Sequence, residues 1–298
     1  MRFALISHKE FQSCWLIAAS FLLFLSCSRK PTNSGVIGSK EIDGKTIQVE
    51  RVAIPFYENG KVINLEGMLY KDISADSWRG IIMTHGRNGP HPQRNIKEVY
   101  GYSKLNVALA LKGAAVLFVV RRGYGASSGE DSEFLATPAQ CGLAASKDIA
   151  AAVQYLKGIS GVHKTGIIVM GHSQGGWAAI GASTLTMEGI SAAVNLCGGT
   201  NYGSMGSGEI TDKVQEDWIT GCSELGSSAR IPMVWIYSEN DRNHPPDRVN
   251  ACFDAYVQSG GKGILHILPA YGNDGHNIIA EPDLFIDTLF ESMEKLGN

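Results

Sequence analysis

Residues 167–180 read IIVMGHSQGGWAAI: an apolar run enters Gly-His-Ser-Gln-Gly-Gly and leaves into a second apolar segment. A serine in a G-x-S-x-G pattern gains chemical interest when a strand turns sharply into a helix at that point. Such a turn lifts the hydroxyl clear of the sheet and strains the serine backbone, and the flanking residues must be glycine because no Cβ fits. Ser173 lies between Gly171 and Gly175 in that context. The same pattern recurs as Gly125-Ala126-Ser127-Ser128-Gly129, but there the glycines and acidic residues of RRGYGASSGEDSEF give no immediate helix. Ser173 is therefore the candidate nucleophile, and Ser127 belongs to a shaped loop.

A serine hydroxyl attacks poorly at neutral pH unless a base takes its proton, and the base needs a third group to fix its tautomer. Of the eight histidines, His8 lies in an apolar leader, His172 neighbours the serine and should point away from it, His163 precedes a strand and His266 lies inside one. His91, in HPQR, carries no further signal, and His244, beside Pro245 and Pro246, suits a pocket wall or the surface. His276, in the glycine-bounded loop LPAYGNDGHN after the last apolar run, is the candidate base. The acid should follow the run PMVWIY, where SENDRNHPP offers Asp241 and, as runner-up, Glu239; Asp274 reads as a loop-forming aspartate. Acyl transfer also needs N–H donors aimed at the developing oxyanion. Gln174, next to the serine at a helix start, supplies one. The loop THGRNGP supplies the other from Arg87, or alternatively Asn88, with His85 organising the loop.

The elements that must carry these residues follow from periodicity. KTIQVERVAIPF and KVINLEGMLY flank Asn59-Gly60, a strong hairpin signal. Apolar runs then recur at 80–85, 114–120, 165–170, 191–197, 232–237 and 263–268, separated by helix-length segments. Such runs suit strands buried on both faces. Pro138 to Leu156 and the segment opened by Pro282 have helical spacing. The alternation predicts an α/β, doubly wound, mostly parallel sheet of about eight strands flanked by helices, with reactive groups at the strands' carboxyl ends. The segment between Cys197 and Ile231 is too short for a large lid domain, although DWITGC could form a small helix over the site. Trp177, Tyr124 and Trp218 are candidate pocket-lining residues, with a core position as the equal alternative for Trp177.

The whole chain has 298 residues, 44% of them apolar, and a formal charge of -3 with pI near 6.2, so a sizeable core is available and no basic surface for nucleic acid is implied. The first 27 residues carry Arg2 and Lys9 and then an apolar run shorter than the roughly 20 residues of a membrane-spanning helix, which suits a signal peptide. Its end, Leu25-Ser26-Cys27, resembles a bacterial lipobox, which makes Cys27 a candidate lipidation site. The implied destination is export, to the periplasmic side or as an outer-membrane lipoprotein, or alternatively by secretion. Residues 28–45, rich in Gly, Ser, Thr and Pro, read as a tether, and 46–298 as the folded domain. Cys141, Cys197, Cys222 and Cys252 lack zinc-finger spacing, so no structural metal is expected; after export they allow one or two disulfides, with buried thiols as the alternative.

Taken in order, THGRNG, RRGYGASSG, GHSQGG, SENDRNHP and DGHN resemble the α/β-hydrolase superfamily, nearest to its dienelactone-hydrolase-like and serine-esterase members, over about residues 45–298. The chain order Ser173, Asp241, His276 is the order used in that fold. The resemblance implies a serine hydrolase acting on carboxylic esters of small or short-acyl substrates through an acyl-enzyme, with no cofactor. A peptidase of the same fold, or a non-catalytic envelope binding protein, are the alternatives. Dienelactone hydrolases use a cysteine nucleophile, so a dienelactone substrate is not implied. Many relatives carry Asp two residues before the Arg-Gly pair, where this chain has Val120, so the anchoring of that loop should differ.

Overall fold

The computed structural model describes residues 34–87, 103–132, 135–200 and 211–297. The leader with Cys27, the first part of the expected tether, Asn88 and His91 lie outside them. Within them nine strands form one sheet: β1 (Gly35–Ile42), β2 (Lys45–Glu58), β3 (Lys61–Asp72), β4 (Arg79–Thr84), β5 (Ala114–Val120), β6 (Ile167–His172), β7 (Ile190–Leu196), β8 (Met233–Ser238) and β9 (Gly263–Leu268). The spatial order is β1-β2-β3-β5-β4-β6-β7-β8-β9. From β5 to β9 neighbouring strands run parallel, while β1, β2 and β3 add an antiparallel end through β3–β5 pairing.

The antiparallel end is set by turn chemistry. Asn59 and Gly60 both take left-handed φ, 49° and 76°, closing a two-residue hairpin with Glu58 opposite Lys61. Asp43 and Gly44 do the same at 51° and 75°, which makes residues 35–42 a strand where a tether was expected. Backbone pairing rather than side-chain burial holds this edge strand, so its Gly, Ser and Lys content gave no strand signal. Asp43-Gly44 was the readable cue.

The parallel strands are apolar on both sides because helices cover both faces. Every residue of β5 is buried, as is every residue of β6 and β8. The helices are α1 (Ser103–Leu111), α2 (Pro138–Lys157), α3 (Gln174–Ala182), α4 (Asp212–Ser228), α5 (Pro246–Gln258) and α6 (Ile286–Gly297). Thr137 caps α2 by accepting from Gln140 N–H at 3.2 Å, and Pro138 occupies its first turn. Pro282 opens a short 3₁₀ turn, Pro282–Leu284, rather than α6 itself. The expected small helix at residues 217–222 is the middle of α4, a helix of 17 residues that packs against α5 and α2.

The loop after β5 is anchored without the relatives' aspartate. Arg122 donates from its backbone N–H and its Nε to Asp148 of α2 at 2.9 and 2.7 Å, and from Nη1 to Glu58 of β2 at 2.5 Å. Ser127 faces inward, donating to Val120 O at 2.6 Å and accepting from Glu66 N–H at 2.8 Å, as a loop-shaping serine should.

Candidate active site

Ser173 stands between the end of β6 and the start of α3 with φ 54° and ψ -121°, a conformation that L-residues rarely adopt. The turn is enforced by close backbone contact. A Cβ on Gly171 would lie 2.0 Å from Gly175 O, and one on Gly175 would lie 2.6 Å from His85 O. Ser173 N–H donates to Leu196 O at 2.9 Å, and Ser173 O accepts from Trp177 N–H at 3.1 Å and Gly199 N–H at 3.2 Å. The serine is partly exposed while both neighbours are buried.

The expected base arrives from the far end of the chain. His276 opens the 3₁₀ turn Gly275–Ala280 that follows β9, and its Nε2 lies 3.0 Å from Ser173 Oγ. Its Nδ1 faces Asp241 Oδ1 at 3.2 Å and Oδ2 at 3.1 Å. With the ring proton on Nδ1 and donated to the carboxylate, Nε2 keeps its lone pair for the serine proton. Asp241 sits after β8 and is fixed by its own loop: Oδ1 accepts from Asn243 and His244 N–H, both at 2.9 Å. Burial alone would raise its pKa. The hydrogen bond and charge of His276, helped by His244 N–H, hold the carboxyl below its usual value.

Asp274 shapes the base's loop, as its position suggested. Its Oδ1 accepts from His276 N–H at 3.0 Å and from Arg242 N–H at 3.1 Å, tying the loop after β9 to the loop after β8. Glu239, the runner-up acid, is exposed. His163 is exposed, and His266 in β9 bonds Ser292 Oγ at 2.7 Å, so both have the packing or surface roles their positions implied.

On the opposite side of the serine, β4 ends at Thr84 and leads through His85 and Gly86 to Arg87. His85 Nδ1–H donates to Gly86 O at 2.7 Å and its Nε2 accepts from Arg121 N–H at 3.0 Å, so the ring organises both loops. Arg121 also reaches back to His85 O. Tyr124 packs edge-on against the His85 ring at 4.6 Å and is buried, which makes it a support for this loop rather than a wall of an open pocket. Gln174 begins α3 directly after the serine.

Trp177 is core, with Nε1 donating to Pro138 O at 2.8 Å. With Trp218 of α4 it lines a small cavity that also meets Trp235, Tyr237 and His244. Tyr237 O–H donates to Gly198 O at 2.6 Å and accepts from Asn195 at 2.8 Å, which stiffens the turn whose Gly199 contacts Ser173 O. Sequence gave no signal for this Asn195–Tyr237 support, because the two residues lie on adjacent strands but far apart in the chain.

All four cysteines of the domain are buried free thiols. Cys197 takes φ 48°, and its Sγ, the Asp241 carboxylate and a ring nitrogen of His276 lie within 4.8 Å of one another. Burial and the neighbouring Asp241 charge push the Cys197 thiol well above its ordinary pKa, so the group beside the hydrogen-bonded Asp241–His276 pair is a neutral thiol.

A sequence model of the Alpha/beta hydrolase family matches residues 81–216, the span from β4 through the serine turn into α4. The fold is that of the α/β-hydrolases. Among solved structures similar to this chain is an acetyl xylan esterase from Paenibacillus sp. R4, at TM-score 0.55 and 17% identity, with 99% of this chain and 96% of that one covered. An esterase of Pyrococcus furiosus aligns at TM-score 0.57 and 16% identity over 82% of this chain and 90% of its own. The acetyl xylan esterase 1 of Thermoanaerobacterium sp. JW/SL YS485 aligns at TM-score 0.54 and 16% identity, covering 97% and 94%. Among curated proteins, none matches the sequence significantly.

Proposed function

We propose that the protein is a serine hydrolase that cleaves carboxylic esters through an acyl-enzyme. The observation that carries this reading is the 3.0 Å contact between His276 Nε2 and Ser173 Oγ, with Asp241 on the other ring nitrogen. Ser173 Oγ attacks the ester carbonyl while His276 Nε2 takes its proton, and the Asp241 carboxylate stabilises the imidazolium. The oxyanion accepts from the backbone N–H groups of Gln174 and Arg87. Collapse of the tetrahedral intermediate breaks the bond to the alcohol, which leaves with the proton from His276. A water deprotonated by the same ring then releases the acid and restores Ser173. No step requires a cofactor.

The esterases among the similar structures support esters as the substrate class, with small or short-acyl esters as the expected range. In the same reading, residues 1–26 are removed and Cys27 becomes the lipidated N-terminus that anchors the domain at a bacterial envelope membrane. The test of the chemistry is labelling of the folded protein by a fluorophosphonate, followed by peptide mass spectrometry. The adduct is expected on Ser173. An unlabelled folded protein, or an adduct on Ser127, contradicts the proposal. Mass spectrometry of the mature N-terminus tests the anchor separately: an acylated Cys27 is expected, and an unmodified N-terminus elsewhere rejects it.

A further inference from the structure

Two buried histidines that the proposed chemistry does not use pack against the one that it does. The His172 and His276 ring centroids are 4.9 Å apart, and those of His244 and His276 are 5.4 Å apart, both pairs tilted rather than stacked. His172 Nε2 lies 2.9 Å from the backbone carbonyl of His276, a contact that spans 104 positions of sequence. Because a carbonyl only accepts, His172 carries its proton on Nε2 and donates it. Ser173 is the next residue along the chain, so this hydrogen bond ties the backbone that holds the nucleophile to the backbone that holds the base. His244 packs against both Trp218, at 5.1 Å, and His276, and a Cβ on Gly199 would lie 2.0 Å from its ring. Its backbone N–H holds Asp241.

We propose that His172 and His244 are positioning residues for His276, with His172 fixing the spacing between base and nucleophile through its bond to the His276 carbonyl and His244 packing against the His276 ring. The inference rests on the assignment of His276 as base. Both flanking rings stay neutral, since burial first, and then the neighbouring His276 for His172, lowers each pKa to about 3, while for His244 the Asp241 charge works against burial. A neutral ring cannot repel the imidazolium that forms on His276, and a ring with so low a pKa does not compete for the serine proton. The serine–histidine distance is thereby set by a bond inside the site rather than by the long connection between β6 and β9.

The decisive variants are His172→Gln and His172→Phe. The Gln side-chain amide nitrogen reaches about as far as the imidazole Nε2 and can donate to the same carbonyl. Phe fills the space and cannot donate. With p-nitrophenyl acetate, His172→Phe is expected to lower kcat about ten- to a hundredfold with little change in KM, as a small displacement of base from nucleophile would. His172→Gln should recover most of that loss. Proton NMR of the folded proteins gives a reading that needs no substrate: the downfield His276 Nδ1–H resonance, present in wild type and His172→Gln, should broaden or shift in His172→Phe. For His244, replacement by Phe keeps the packing and should leave that resonance in place, whereas His244→Ala should disturb it. A His172→Phe protein with wild-type kcat and an unchanged resonance overturns the inference, as does a His172→Gln protein no better than His172→Phe. Absence of ester hydrolysis in wild type would reject the proposed function instead, and the resonance would still decide the positioning role.

Discussion

Asp241 and His276 meet at 3.1 Å although β9 and the whole of α5 separate them in sequence, and the carboxylate that meets the ring is already bound by two backbone N–H groups of its own loop. The Asp241 carboxylate is thus held by its own loop as well as by the His276 ring. Replacing Asp241 by Asn should lower kcat on esters by about 10² to 10⁴, because an amide can donate to Nδ1 and so stabilise the wrong tautomer. Glu239→Gln, at the exposed runner-up position, should leave turnover unchanged. Steady-state kinetics on the two variants checks both, and equal losses would move the acid away from Asp241.

The strained serine gives a prediction that separates stability from activity. Ser173 holds φ 54°, where glycine is relaxed and alanine is not. Ser173→Gly should therefore be more stable than Ser173→Ala by about 1 kcal/mol, with both inactive. Equilibrium urea unfolding of the two proteins measures the difference, and a more stable alanine variant would contradict the backbone account.

Gly175 should tolerate no side chain. Its Cβ would press on the carbonyls of His85 and Thr84, at 2.6 and 2.7 Å, which belong to the loop leading to Arg87. Gly175→Ala is expected to cost about 1–3 kcal/mol of stability and to lower kcat by displacing that loop. Thermal unfolding and ester kinetics together test it: a lowered Tm with full kcat would sever the link between this contact and the oxyanion donors.

The neutral histidines make a pH prediction. In the unfolded chain His172 and His244 titrate near 6.5, whereas in the fold each titrates at about 3. Below pH 6.5 the unfolded state binds protons that the folded state refuses. Stability should fall as pH drops from 6.5 towards 3, each histidine contributing about 1.4 kcal/mol per pH unit. Asp241 acts in the same direction at lower pH: its folded pKa is depressed, so its contribution is present above the ordinary carboxylate range and is lost as pH falls through the depressed value. Denaturant unfolding from pH 7 to 4 should show a shallower fall in His172→Gln than in wild type. Parallel curves would reject burial of a neutral His172.

Much of this architecture was written locally in the sequence. The apolar runs at 114–120 and 263–268 coincide with β5 and β9, and Asn59-Gly60 forms the hairpin its residues imply. The serine turn was readable because strand, turn and helix are contiguous and Gly171 answers to the turn's own backbone, although Gly175 answers to the distant carbonyls of Thr84 and His85. The residues that support the site were not readable in the same way. His172, His244, Asn195 and Tyr237 act through contacts across strands or between distant loops, and no short pattern encodes such a contact. The edge strand β1 was missed for a different reason: its pairing is backbone to backbone, and its mixed exposure leaves no apolar alternation. Tyr124 has the aromatic character of a pocket residue, yet it is a buried support for the His85 loop, whereas Trp177 is both core and part of the wall of a small cavity.

The most direct test is hydrolysis of a short-chain p-nitrophenyl ester series by residues 28–298, beside the Ser173→Ala variant. Turnover by wild type that vanishes in the variant, with both proteins folded, is the predicted result, and the chain-length profile then sizes the acyl site. Turnover that survives the loss of Ser173, or a folded wild type inactive on every ester, would contradict the account.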